Sequence, residues 1–192
     1  MTSVVSLHAF ANSPNLPLVV LVDMQQEHLA KPRLLAISEI GAALNTCRKV
    51  LDSSRRIGLP VAFVRIIGES VVFNRATPFV RWIEGLEPDR NEMVFERASR
   101  SCYSCKPFAV LVNQSRGGIV LARFAGEAAC RSTLIDAFRR NHKVTLLCDA
   151  SASHPLERDV GRRGAPRSVT ISGVYARCIK RRSGSPQLRL AS

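Results

Sequence analysis

Four short apolar runs, separated by segments of helical pattern, limit what this chain can fold into. Leu16–Asp23 (LPLVVLVD), Pro60–Ile67 (PVAFVRII), Gly118–Phe124 (GIVLARF) and Lys143–Asp149 (KVTLLCD) are continuous and rich in aliphatic residues. Runs of this length and kind read as strands buried on both faces. Between the first two, Arg33–Ile57 carries Leu34, Leu35, Ile37, Ile40, Leu44, Cys47, Val50 and Leu51 at helical spacing, and Gly58 closes it. Lys106–Gln114 and Ala128–Asn141 read as further helices, and Met93–Phe95 as a short strand. The order β-α-β-loop-α-β-α-β predicts an α/β fold. Its architecture is a three-layer α/β/α sandwich around a mostly parallel, Rossmann-like sheet.

In such sheets ligands bind outside the carboxyl ends of the strands. Asp23, the loop after Ile67, the turn before Cys130 and the segment after Asp149 all fall on that edge. Cys130 stands where the third apolar run turns into a helix. A thiol in a helix's first turn meets unpaired N–H groups and the positive end of the helix dipole, and both favour the thiolate. Taken alone, the position also suits a small residue packed on the sheet. Asp23 at a strand end is equally compatible with a loop residue or a helix cap. Their placement on one edge favours a base and a nucleophile.

The stretches LVVLVDMQQ, FERASRSCY and FAGEAACRSTLIDAFRRNHKVTLLCDASAS resemble the isochorismatase-like cysteine hydrolases, over roughly residues 16–155. The resemblance implies an Asp, Lys and Cys triad, matched here by Asp23, Arg97 and Cys130. Arg97, Ser101 and Tyr103 hold the spacing of the family's Lys, Ser and aromatic residue, so an arginine stands where lysine is usual. Arginine stays charged at any working pH and is a poor proton donor. The resemblance further implies an oxyanion hole from the backbone N–H groups of Ala129 and Cys130, and a cis peptide just before this helix. Gln25 follows Asp23 as in the family's Asp-x-Gln. Gln25, His28, Arg65, Trp82, Ser101 and Tyr103 are the expected substrate contacts. The family's nicotinamidases carry a histidine metal site after the second strand. Residues 68–90 contain no histidine, so neither a metal nor nicotinamide is expected. No cofactor is expected, and the partner expected is a small-molecule substrate.

The length suits one domain over residues 16–180, with a loose leader at 1–15 and a basic tail at 181–192. The start lacks a secretory pattern and no run spans a bilayer, so a cytoplasmic location with no membrane partner is expected. Six cysteines without that pattern read as reduced thiols, with Cys47 and Cys148 in the core. Cys102 and Cys105 form a lone C-x-x-C that overlaps the Ser101–Tyr103 match and reads as incidental. Net charge is +13, and residues 156–192 hold nine basic and two acidic residues. Charge alone attracts polyanions, but no nucleic-acid motif accompanies it, so nucleic acid is not the expected partner. Family members are often oligomers, so a homo-oligomer stands beside a monomer as an expectation. A catalytically silent binding protein on the same fold is the main functional alternative, and a basic nucleic-acid-binding protein the second.

Overall fold

A computed structural model describes residues 15–69, 72–124, 127–152, 168–171 and 174–179. The apolar runs form β1 (Leu18–Val22), β2 (Val61–Ile66), β4 (Ile119–Arg123) and β5 (Val144–Leu147), with β3 at Met93–Arg97. The helices are α1 (Gly41–Arg56), α2 (Lys106–Gln114) and α3 (Glu127–Arg139). Two further strands follow, β6 (Ser168–Ile171) and β7 (Val174–Ile179). The sheet order is β3-β2-β1-β4-β5-β7-β6. All neighbours are parallel except β6 on β7.

Alternation along the strands builds two cores. Leu18, Val20 and Val22 of β1, Ala62 and Val64 of β2, and Leu121 of β4 pack with Phe108 and Leu111 of α2 and Leu134 and Ala137 of α3. Val19, Leu21, Val61, Phe63 and Ala122 point the other way, onto Ala43, Cys47 and Leu51 of α1. Each aliphatic side chain so buried contributes about 1.5–3 kcal/mol. That yields the expected three-layer α/β/α sandwich, and no helix among the described residues is long and apolar enough to cross a membrane.

Three expectations are corrected. The first helix begins at Gly41 rather than Arg33. The chain before it turns back instead: the Ile37 N–H donates to the His28 carbonyl at 2.9 Å and the Arg33 N–H to that of Ala30 at 2.8 Å. Leu34 is 68% exposed, so its apolar spacing is not used, while Ile37 and Ile40 reach the core from a loop. Second, β3 runs two residues past Phe95, and Arg97 thereby pairs in register with Ile66 at the carboxyl edge. Third, Cys148 is disulfide-bonded, whereas Cys47, Cys102, Cys105 and Cys130 are free thiols. The tail at 181–192 and the leader up to residue 14 lie outside the described residues.

The long segment after β2 is packed down rather than loose. Ile83 and Leu86 are fully buried beside α1. Arg48 and Arg55 of α1 donate to the carbonyls of Glu84 and Glu87 at 2.7 and 2.8 Å, and Arg55 also pairs with Glu92 at 2.8 Å.

Candidate active site

Strand alternation would send Asp23 to the α1 side with Val19 and Leu21. A left-handed backbone at Asp23, φ 56°, breaks that alternation. The conformation is unfavourable for most side chains and is tolerated by Asp and Asn. Two backbone hydrogen bonds hold it: the Asp23 N–H donates to the Val64 carbonyl, and the Gln25 N–H to the Asp23 carbonyl, both at 2.8 Å. The Asp23 carboxylate forms an ion pair with Arg97 Nη2. Arg97 shares the strand parity of Met93 and Phe95, which pack in the α2 and α3 layer. Its Nη1 donates to the Ser99 carbonyl.

Both partners are buried, Asp23 to 2% exposure and Arg97 to 3%. Burial raises the Asp23 pKa above the ordinary carboxylate value; the Arg97 charge and hydrogen bond, a backbone bond from Ile66 and the Arg123 charge pull it back. Asp23 Oδ1 and Arg97 Nε are buried without a hydrogen-bond partner in the protein. An acceptor left open in a buried carboxylate suits a thiol proton or a substrate N–H.

Cys130 is the fourth residue of α3 and therefore sits in its first turn. It is 6% exposed, in the same core layer as Arg97's strand face. Cys102, in the 3-10 turn Cys102–Ser104, lies among the three expected catalytic groups. Burial pushes its thiol up to about 12; the Arg97 charge works against this, while Asp23 and Cys130 add to it. Fields from Asp23, Arg97 and Cys130 thus meet at Cys102. A hydrogen-bonded link runs from that turn to α3: the Cys102 N–H donates to Thr133 Oγ1 at 3.1 Å, and Thr133 Oγ1 donates to the Ala129 carbonyl at 3.0 Å. The cis peptide expected before this helix is not found within residues 127–130, and residues 125 and 126 lie outside those described.

The expected substrate contacts are distributed rather than gathered. Gln25 is fully buried and its amide ties the end of β2 to the following loop. It accepts from the Ile66 N–H at 3.1 Å and donates to the carbonyls of Ile66 and Val80 at 3.1 and 3.3 Å. His28 is buried, with Nδ1 3.3 Å from the Leu35 carbonyl and its ring 6.1 Å from that of Phe73. Arg65 has the parity of Val61 and Phe63, on the α1 side. There it pairs with Glu96 at 2.6 Å and stacks over Trp82 at 5.0 Å, and Trp82 meets Phe63 edge-on. Arg65 and Trp82 are thus in the layer opposite Cys130. Ser101 caps the 3-10 turn by accepting from the Tyr103 N–H at 3.2 Å. The Tyr103 hydroxyl is 2.8 Å from His142 Nδ1, beyond the C-terminal end of α3, whereas Cys130 is at its start.

Two residues that the sequence reading passed over belong beside this group. Arg123 ends β4 in register with Val22, is 8% exposed, and its charge acts on Asp23. Its signal was an arginine closing an otherwise apolar strand. Thr133 is 2% exposed and bridges two elements, a role that no local pattern announces.

The isochorismatase domain family matches residues 17–161. Solved structures share the fold. A cysteine hydrolase from Pseudomonas syringae pv. phaseolicola 1448A superposes with TM-score 0.66 at 22% identity, over 73% of this chain and 74% of that one. An isochorismatase-like hydrolase from Alkaliphilus metalliredigens gives TM-score 0.68 at 17% identity, over 85% and 94%. N-carbamoylsarcosine amidase from Thermoplasma acidophilum gives TM-score 0.61 at 26% identity, over 74% and 88%. No curated protein sequence matches.

Proposed function

The chain belongs to the isochorismatase family, and from that premise we propose that it is a cysteine hydrolase cleaving a carbon–nitrogen bond of a small amide or ureido compound through a thioester. The observation that carries this reading is the buried Asp23–Arg97 pair. It lies in the core layer of Cys130, and one oxygen of its carboxylate has no protein partner.

Asp23 takes the proton of Cys130, and the thiolate attacks the substrate carbonyl. The N–H groups of Ala129 and Cys130 hold the oxyanion, helped by the positive end of α3. Asp23 returns its proton to the leaving nitrogen, the carbon–nitrogen bond breaks, and ammonia or an amine departs. Water, deprotonated by Asp23, then hydrolyses the thioester and frees Cys130. Because Asp23 carries the proton in both directions, Arg97 need only supply charge, which an arginine can do. A neighbour on the same fold is named as an amidase of an N-carbamoyl compound, which supports including ureido substrates.

The test is ammonia release from a panel of primary amides and ureido compounds by purified protein. Turnover that Cys130→Ala abolishes is expected, and equal rates in the variant would remove Cys130 from the mechanism. A binding protein without turnover is the second reading, favoured by the arginine at position 97. Selective alkylation of Cys130 with no ammonia from any compound would support it.

A further inference from the structure

We propose that Thr133 is a positioning residue for the oxyanion hole, holding the Ala129–Cys130 peptide through its hydroxyl. The inference rests on the thioester reading above. The geometry is a short relay. The Cys102 N–H donates to Thr133 Oγ1 at 3.1 Å, and the same hydroxyl donates to the Ala129 carbonyl at 3.0 Å. That carbonyl and the Cys130 N–H are two ends of one peptide unit. A hydroxyl that fixes and polarises the carbonyl also fixes the N–H and makes it a stronger donor.

A threonine bonding back to the carbonyl four residues earlier is common in helices and by itself means little. What sets Thr133 apart is the second bond, from a turn 31 residues away in the chain. That turn follows the Arg97–Ser101 segment, so Thr133 also sets the register between the Arg97 side of the site and the Cys130 side. Thr133 is 2% exposed, so its hydroxyl is not reached by substrate and acts only through the peptide. Cys102 donates to Thr133 through its backbone, and its thiol is hydrogen-bonded to Thr133 as well.

An oxyanion donor acts in the transition state rather than on bound substrate, so its loss falls on kcat. Deleting such a donor outright costs on the order of 10²–10³ in kcat, and loosening one costs less. Thr133→Val, which keeps the shape and removes the hydroxyl, is expected to lower kcat about tenfold with KM within about twofold. Thr133→Ser, which keeps the hydroxyl, should stay within about threefold of the parent. Thr133→Ala serves if the valine variant does not fold, with the same expected kcat loss.

Alkylation of Cys130 by iodoacetamide, read by mass spectrometry, forms no oxyanion and should differ by less than twofold across the series. Unchanged kcat in folded Thr133→Val or Thr133→Ala would overturn the proposal. So would equal losses in the serine variant, or a kcat loss matched by an equal loss of alkylation rate. A parent protein that releases no ammonia from any amide would instead refute the hydrolase reading. In that case exchange of the Cys130 amide hydrogen decides Thr133: faster exchange in Thr133→Val than in Thr133→Ser is expected, and equal exchange overturns it.

Discussion

Asp23 and Arg97 lie 74 residues apart in the chain and form a buried ion pair at the carboxyl edge of the sheet. Each is delivered by a backbone feature. The left-handed turn at Asp23 carries its carboxylate off the path of strand alternation. The extension of β3 to Arg97 brings the guanidinium level with Ile66. A buried pair is weak support for stability, because desolvation offsets most of the attraction. Its cost is better explained by a site that needs a carboxylate held ionised yet poorly solvated.

Removing one partner should therefore hurt more than the pair helps. Arg97→Met leaves Asp23 buried and uncompensated and is expected to cost about 3–5 kcal/mol at neutral pH. Arg97→Lys keeps the charge and should cost clearly less. Urea denaturation of the three proteins measures this. In Arg97→Met the deficit should shrink as pH falls and Asp23 takes up a proton, since the neutral acid no longer needs a partner. A deficit independent of pH would mean that the loss comes from packing of the arginine stem.

Asp23 itself should set the acid side of both activity and stability. Its pKa is raised above 3.8, chiefly by burial. Activity that requires the carboxylate should fall with acid through a midpoint above that value. Stability runs the opposite way: a raised acid favours folding fully below 3.8 and loses that contribution as pH rises through its folded pKa. Relative to Asp23→Asn, the parent should lose stability with rising pH and then level off once Asp23 is ionised. A parent–variant difference that grows with pH would show that Arg97 outweighs burial.

Arg123 should tune that same midpoint. Its charge lowers the Asp23 pKa against the larger effect of burial. Arg123→Met is expected to move the acid limb of the rate profile to higher pH. Arg75→Met is the control, because Arg75 is 65% exposed and pairs with Glu96 on the other side of the sheet. An acid limb that stays in place in Arg123→Met, or that shifts equally in both variants, would show that Arg123 does not act on Asp23 specifically.

The strands were legible because both their faces are covered, which leaves unbroken aliphatic runs such as Leu18–Val22. That property also hid which residue faces which layer. Parity puts Arg65 on the face of Phe63, but no polar alternation in β2 tells which helix layer that face meets, and Arg65 and Trp82 sit behind the sheet from Cys130. The early helix start at Arg33 had a different cause. Ile37 and Ile40 keep helical spacing while the backbone bonds back to His28, a contact that periodicity does not encode. Asp23 and Cys130 were legible from topology, because parallel strands bring their carboxyl ends to one edge. Thr133 was not, since its partner is in a turn whose position depends on the finished fold.

The thiols should separate sharply in reactivity. Burial pushes both Cys47 and Cys102 up to about 12, so at pH 8 only about one molecule in ten thousand carries either as thiolate. The Cys47 Sγ is further held by a hydrogen bond to the Ala150 carbonyl at 3.0 Å. Cys130 is also buried, but it sits in the first turn of α3, in the core layer faced by Arg97's side of β3, and is the proposed nucleophile. Limited iodoacetamide followed by peptide mass spectrometry should therefore label Cys130 well before Cys47 or Cys102. Asp23→Asn should slow labelling of Cys130, because its proton then has no base, and leave Cys105, a half-buried thiol outside this group, unchanged. Labelling of Cys102 ahead of Cys130 would reverse the assignment of nucleophile. Equal slowing at Cys105 in Asp23→Asn would point to a general loosening of the fold rather than to a base beside the thiol.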